Sequence, residues 1–341
     1  MDTVMIPGTE LAPSRIGLGT WAIGGWMWGG TDFKLSIRTI CAAIDAGITL
    51  IDTAPAYGRG RAEEIVGETL ARSGRRDRVV IATKVGLEWR RNGDVVRNAS
   101  RRRIQKEIVE SLRRLRTDVI DIYQVHWPDP RVPIEETAEA LRTLYEEGQI
   151  RAIGVSNFST EQMDLFREVA PLHVAQPPYN VFERDAETDV LPYCLRDGIA
   201  TLTYGALCRG LLSGRMRRAT RFVGDDIRRT DPKFQPPRYA QYLRAVDALE
   251  RFARERFGKS ALALAVRWVL DQPGVGVALW GARSPEQLEA LGDIEGWSID
   301  ADAKAAIDAI LHDTVLDPVG PGFMAPPAGA VGLPDALRAV G

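Results

Sequence analysis

The chain has 341 residues, 45% hydrophobic and 26% charged, which is enough apolar material for a large core and excludes a disordered polypeptide. The 44 basic and 46 acidic residues leave a net charge of -2, so no overall field favours nucleic acid. Cys41, Cys194 and Cys208 form no Cys-x-x-Cys pair and the three histidines are dispersed, which argues against a disulfide framework or a metal site and for a reducing, cytoplasmic setting.

The N-terminus "MDTVMIPGTELAPSRIG" lacks the charged-then-apolar pattern of an export signal, and no apolar run reaches the ~20 residues of a membrane span. Its "PGTE" between "VMI" and "LAPSRIG" predicts a small hairpin, placed to plug a barrel floor. A strand follows at residues 15–20. There "GLGTWA" formally fits the G-x-G-x-x-G/A dinucleotide fingerprint, but "IGGWMWGG" follows instead of a helix, so the match is accidental.

Strands and amphipathic helices then alternate. Helix 36–46 precedes strand 48–53, which ends in Asp52; Tyr57 sits in the next turn, before helix 62–73. Strand 79–85 ends in Lys84. Helix 101–115 opens on the run Arg101 to Arg103, read as a solvated face. Strand 119–127 carries His126 near its end and precedes helix 134–147. The pattern continues with strand 150–157, helix 160–170, strand 173–180, helix 190–197 and strand 200–207.

An arginine-rich segment runs from there to Arg238, too long for a plain connection, so it is read as a functional lid or a disordered insert. A helical stretch over 238–272, broken at Gly258, leads to strand 275–282 and helix 284–291. The "DPVGPGFMAPPAGAVGLP" end is too rich in Pro and Gly for a helix and predicts an extended surface tail. Eight strand–helix units imply a parallel sheet, and the absence of a linker favours one (β/α)8 TIM barrel over residues 1–341, with an N-terminal hairpin and an extended C-terminal tail.

In such a barrel, polar residues at the C-terminal ends of strands face the active site. Taken singly, Asp52 reads as a turn residue, Tyr57 as packing, Lys84 as a snorkelling lysine and His126 as a core histidine. Placed on neighbouring strands, the four converge on the chemistry of protonating an oxygen. Lys84 is expected to lower the Tyr57 pKa, Asp52 to keep Lys84 charged, and His126 to orient a carbonyl. Trp21, Trp26, Trp28, Trp89 and Trp127 follow the first, third or fourth strand and predict an aromatic substrate pocket for an apolar carbonyl or a sugar face.

Eight motifs, among them "GLGTW", "IDTAPAYG", "ATK", "QVHWPD", "GQIRAIGVSNFS", "QPPYN", "YGALCRGLLSGR" and "GARSPEQLEAL", resemble the aldo-keto reductases along nearly the whole chain, most closely the bacterial general-stress branch. The resemblance implies a catalytic tetrad of Asp52, Tyr57, Lys84 and His126 and an NADP(H) cofactor. It further implies that Ser156, Asn157 and Gln176 hold the nicotinamide amide and that Tyr204 stacks on its ring. Leu207, Gly210, Leu212 and Arg215 match the segment covering the pyrophosphate, Arg283 and Gln287 lie near the adenosine 2′-phosphate, and Thr20 and Trp21 join the cofactor set. A guanidinium at Arg283 favours NADP over NAD. Ala290 and Leu291 stand where many relatives carry Glu-Asn, which loosens the expected adenine recognition. The implied substrate is a small carbonyl or alcohol. Two other classes fit less well: an NADP-binding redox sensor or regulatory subunit with slow turnover, and an aldolase using Lys84 as a Schiff-base nucleophile, which a neighbouring Asp52 opposes.

Overall fold

The computed structural model describes residues 1–328; the end of the predicted tail, 329–341, lies outside the described residues. The strands are β1 (Ile16–Gly19), β2 (Leu50–Asp52), β3 (Val80–Val85), β4 (Leu87–Trp89), β5 (Val95–Arg97), β6 (Ile120–Val125), β7 (Ile150–Ser156), β8 (Val174–Gln176), β9 (Ala200–Thr203) and β10 (Val277–Gly281). Eight of them close a parallel barrel in the order β1-β2-β3-β6-β7-β8-β9-β10, while β4 and β5 form a separate antiparallel hairpin.

The helices are α1 (Trp21–Gly24), α2 (Phe33–Asp45), α3 (Arg61–Ser73), α4 (Arg101–Leu115), α5 (Ile134–Glu146), α6 (Thr160–Arg167), α7 (Val190–Asp197), α8 (Arg238–Phe257), α9 (Ala261–Leu270) and α10 (Ala301–Thr314). As in any parallel sheet, each return to the next barrel strand carries the chain over the outside. Among the described residues no helix is long and apolar enough to cross a membrane.

Successive side chains of a strand point to opposite faces, and that alternation builds two cores here. Leu50, Ala82, Ile122, Ala152 and Val174 form an inner cluster, whereas Ile51, Ile81, Tyr123, Ile153 and Ala175 belong to the outer one, against the helices. The N-terminal hairpin is held by Val4 N to Pro13 O and Ile6 N to Leu11 O, both 2.9 Å. Its Ile6, with no exposure, and Leu11 complete the inner cluster and seal the barrel floor.

The stretch over 238–272 is two helices broken at Gly258, as expected: Gly258 takes φ +68° and Ser260 then caps α9 through Ala263 N. Three features differ from the sequence expectation. Residues Pro285–Asp293 form a 3-10 segment instead of an α-helix, with no side-chain cap from Ser284. The hairpin of β4 and β5 was not expected, although Asn92-Gly93 at its turn is a hairpin signal. Helix α10 was also not expected; it buries only Ala303 and Ile307, so its apolar stripe is thin.

Replacing Ile6 by Ala removes a fully enclosed side chain from the floor and is expected to destabilise by about 2–5 kcal/mol in urea unfolding, against less than about 0.5 kcal/mol for Met5→Ala at an exposed neighbour.

Candidate active site

The inward rows that are apolar at the floor turn polar toward the mouth. Two positions beyond Leu50 stands Asp52; beyond Ala82, Lys84; beyond Ile122, Gln124 and then His126; beyond Val174, Gln176. Four strands thereby deliver polar groups to one level of the barrel.

Lys84 is fully buried, and its ammonium lies 2.8 and 2.7 Å from the two Asp52 oxygens and 3.0 Å from the Thr53 carbonyl. Gln176 Nε2 donates to Asp52 Oδ1 at 2.8 Å, and Gln124 Nε2 to the same oxygen at 3.5 Å. The pair is thus desolvated but hydrogen-bonded on both sides, as buried charge requires.

Tyr57 reaches this pair from the turn after β2. Gly58 has φ +65°, and a Cβ there would run into the Gly24 carbonyl, so glycine lets the turn lie directly on α1. The Tyr57 oxygen accepts from Lys84 Nζ at 3.3 Å. Its ring stacks on Trp21 at 6.1 Å and meets His126 edge to face at 5.6 Å. Accepting from Lys84 leaves the phenol proton to point into the cleft.

Burial, and secondarily the Asp52 charge, holds the Tyr57 phenol well above its ordinary pKa. This corrects the expectation that Lys84 lowers it: the ammonium is largely neutralised by Asp52, so desolvation of the phenolate dominates. Burial likewise lowers the Lys84 ammonium, with Asp52 opposing. His126 is held well below its ordinary pKa by burial and then by Lys84, so its imidazole is neutral.

A second polar layer lies beside the first. Ser156 donates to the Gln176 carbonyl at 2.8 Å; Asn157 Nδ2 donates to the His126 carbonyl at 2.9 Å; and the Tyr204 hydroxyl donates to Asn157 Oδ1 at 2.9 Å. Asn157 has φ +62°, a conformation asparagine tolerates better than most residues. The barrel is narrow enough that this layer touches Asp52 through Gln176, although the two sets come from opposite sectors.

The cleft above Tyr57 and His126 is walled by Trp21, Trp26, Trp127, Leu87, Val95 and Met324. From Tyr57 and Tyr204 a groove runs past Leu207 and Gly210 to Arg283 and Gln287, and its outer end is lined by Arg215, Arg221, Arg228 and Arg283. The long segment after β9 is an ordered lid over this groove. The Asp225 carboxylate accepts from Met27 N at 2.8 Å and Gly29 N at 3.0 Å, and Ile227 N donates to Met27 O at 2.9 Å.

Several predicted site residues lie elsewhere. Thr20 is buried with its hydroxyl on the Asp52 carbonyl at 2.9 Å, so it ties β1 to β2 and does not face the groove. Leu212 is fully buried in the outer core. Trp28 lines the cofactor-side groove, and Trp89 packs on Trp26 at 4.6 Å beneath Arg59, outside the substrate cleft. Arg283, by contrast, stays at the groove, its guanidinium donating to the carbonyls of Trp28 at 2.9 Å and Gly30 at 2.7 Å. Met324 and Pro326 were not expected in the cleft. The tail brings them there, pinned by Arg97 Nε to the Pro326 carbonyl at 2.8 Å and Arg97 N to the Pro327 carbonyl at 3.1 Å.

The chain is similar to known proteins along most of its length. Residues 15–312 match the Aldo/keto reductase family. The chain is 61% identical over 327 residues to aldo-keto reductase YhdN of Bacillus subtilis, covering 96% of this chain and 98% of that one. It is 36% identical over 304 residues to the NADH-specific methylglyoxal reductase of Escherichia coli, covering 84% and 91%. The solved glycerol dehydrogenase AKR11B4 from Gluconobacter oxydans superposes with a TM-score of 0.86 at 54% identity, covering 95% of this chain and 99% of that one.

Removing Lys84 alone strands a buried carboxylate. Lys84→Met is expected to destabilise by about 3–5 kcal/mol in denaturant unfolding, and Lys84→Met with Asp52→Asn to recover much of the loss.

Proposed function

Because the chain belongs to the aldo/keto reductase family, we propose that it is an NADP(H)-dependent oxidoreductase that interconverts an aldehyde or ketone and an alcohol, with Tyr57 as general acid and base. The observation that carries this reading is the Tyr57 hydroxyl, 3.3 Å from an ammonium that both Asp52 oxygens hold in place, at the base of an aromatic cleft.

The residues present fit a nicotinamide cofactor. Ser156, Asn157 and Gln176 offer hydroxyl and amide groups at the mouth, Tyr204 offers a flat ring face, and the groove leads to an arginine-lined end suited to phosphate. These residues would hold it, with Arg215 and Arg283 favouring a 2′-phosphate. When bound, NADPH supplies the hydride that the carbonyl carbon accepts.

The protein's own part is proton management. Neutral Tyr57 donates its proton to the carbonyl oxygen, and the resulting phenolate is stabilised by the Lys84 ammonium it already touches. Asp52 keeps that ammonium charged. Neutral His126 retains one ring N–H to donate to the same carbonyl oxygen and so orients it. The indoles of Trp21, Trp26 and Trp127 exclude water and give an apolar face for substrate. A short polyol or sugar-derived carbonyl is the first candidate, since a relative at 54% identity is described as a glycerol dehydrogenase.

The direct test is fluorescence titration with NADPH and NADH, followed by nicotinamide absorbance with aldehydes, ketones and polyols. Tighter NADPH binding with turnover is expected; binding of neither cofactor overturns the proposal. In Tyr57→Phe, kcat should fall by about 10²–10⁴-fold while the NADPH Kd stays within about twofold.

The pKa directions fix a pH signature. With the Tyr57 phenol raised above its usual value of about 10 and His126 lowered below its usual value of about 6.5, neither titrates between them. Carbonyl reduction, which needs the neutral phenol, should therefore show a flat kcat/KM from about pH 7 to 9. Alcohol oxidation, which needs the phenolate, should rise with pH over the same span. Initial rates in both directions across a buffer series check this.

A further inference from the structure

One turn beside the cofactor-side groove has unusual backbone. Cys208, Arg209 and Gly210 take φ +46°, +55° and +86° in succession. Glycine adopts this left-handed region freely; cysteine and arginine do not. Something must hold the turn, and the holding group is the Arg209 side chain, which lies almost wholly inside the protein.

Its Nη2 and Nη1 donate to Glu183 Oε1 at 2.6 Å and Oε2 at 3.3 Å, and its Nε to Asp231 Oδ2 at 2.5 Å. Lys233, also fully buried, places Nζ 2.7 Å from Glu183 Oε1, and its backbone N–H donates to Asp231 Oδ1 at 2.9 Å. Two cations and two anions thus share one enclosed site. Burial raises the Glu183 carboxyl, but Arg209 and then Lys233 outweigh it and hold Glu183 at about 2. Buried ion clusters seldom stabilise a fold more than apolar side chains of the same volume would, so this one calls for a positional explanation.

The two cations lead mainly in different directions, although the Arg209 guanidinium also lies 5.7 Å from the Phe323 ring of the tail. Arg209 belongs to the turn whose neighbours Leu207 and Gly210 line the groove toward Arg283. Lys233 Nζ reaches the Gly320 carbonyl at 3.5 Å, in the tail segment that carries Met324 over Tyr57. We infer that Arg209 and Lys233, joined through Glu183, are positioning residues: Arg209 sets the cofactor-side turn, Lys233 sets the tail wall of the substrate cleft, and Glu183 couples the two. This rests on the proposed nicotinamide-dependent function.

The test compares the full-length protein with Arg209→Met/Asp231→Asn, which removes one charge of each sign, with Lys233→Met and with Glu183→Gln. NADPH Kd is read by fluorescence, and KM and kcat with the best carbonyl substrate at saturating NADPH. The Arg209 variant is expected to raise the NADPH Kd at least about tenfold, with kcat within about twofold and a carbonyl KM rise of at most about threefold, below that of Lys233→Met. Lys233→Met should do the reverse, raising carbonyl KM at least about fivefold with Kd within about twofold, and Glu183→Gln should raise both. Should the double variant not fold, Arg209→Lys, which keeps a cation but not the fork that spans Glu183 and Asp231, carries the same Kd expectation in smaller degree. Equal shifts of Kd and KM in the Arg209 and Lys233 variants, or folded variants with wild-type constants, overturn the inference alone. A wild-type protein that binds no nicotinamide cofactor overturns the proposed function together with it.

Discussion

The ion pair between Lys84 and Asp52 is the constraint around which the barrel interior is arranged. An ammonium with no exposure persists only where its charge is balanced and its protons are accepted. Asp52 does the first, and Asp52 with the Thr53 carbonyl does the second. The same need explains what surrounds the pair. Below, Ile6 and Leu11 of the hairpin close the floor and keep water from the pair; at its own level, Gln124 and Gln176 satisfy Asp52 with amide donors. Tyr57 is then placed by contact with the same ammonium, so one interaction fixes both the position of the phenol and the field it feels. That field is weaker than a lone lysine would give, because Asp52 cancels most of it, and burial keeps the phenol neutral.

Much of this was legible in the sequence because it follows from period-two alternation. The inward rows of β2, β3 and β6 can be counted from Leu50, Ala82 and Ile122 to Asp52, Lys84 and His126 without any coordinates. The barrel itself follows from the repeated strand and helix units. What local pattern cannot supply is contact made by fold-back. Met324 and Pro326 join the cleft because Arg97 on β5 and Lys233 in the lid segment hold the tail, and nothing in a Pro and Gly-rich end specifies those targets. Glu183, Arg209, Asp231 and Lys233 sit in connecting segments where charge normally means solvent, so their burial together had no sequence signal. Thr20 and Leu212 show the opposite failure. They occupy positions within site motifs, yet each side chain turns into the core to hold the backbone that carries the motif.

The floor and the roof of the site are held by interactions of different kind. The floor rests on a buried ion pair and on strand ladders, which open only with the barrel itself. The roof is the meeting of the loop after β1 with the lid after β9, made by Asp225 on Met27 N and Gly29 N, and with the loop after β10, made by Arg283 on the Trp28 and Gly30 carbonyls. Most of these bonds are exposed to water, where each is worth about 0.5–1.5 kcal/mol because solvent competes for the same groups. Local opening draws on such weakly held segments first, leaving the core intact. A long ligand can therefore enter beneath the roof by exchanging a few solvent-exposed bonds, while Lys84, Asp52 and Tyr57 keep the geometry that the chemistry proposed for them requires.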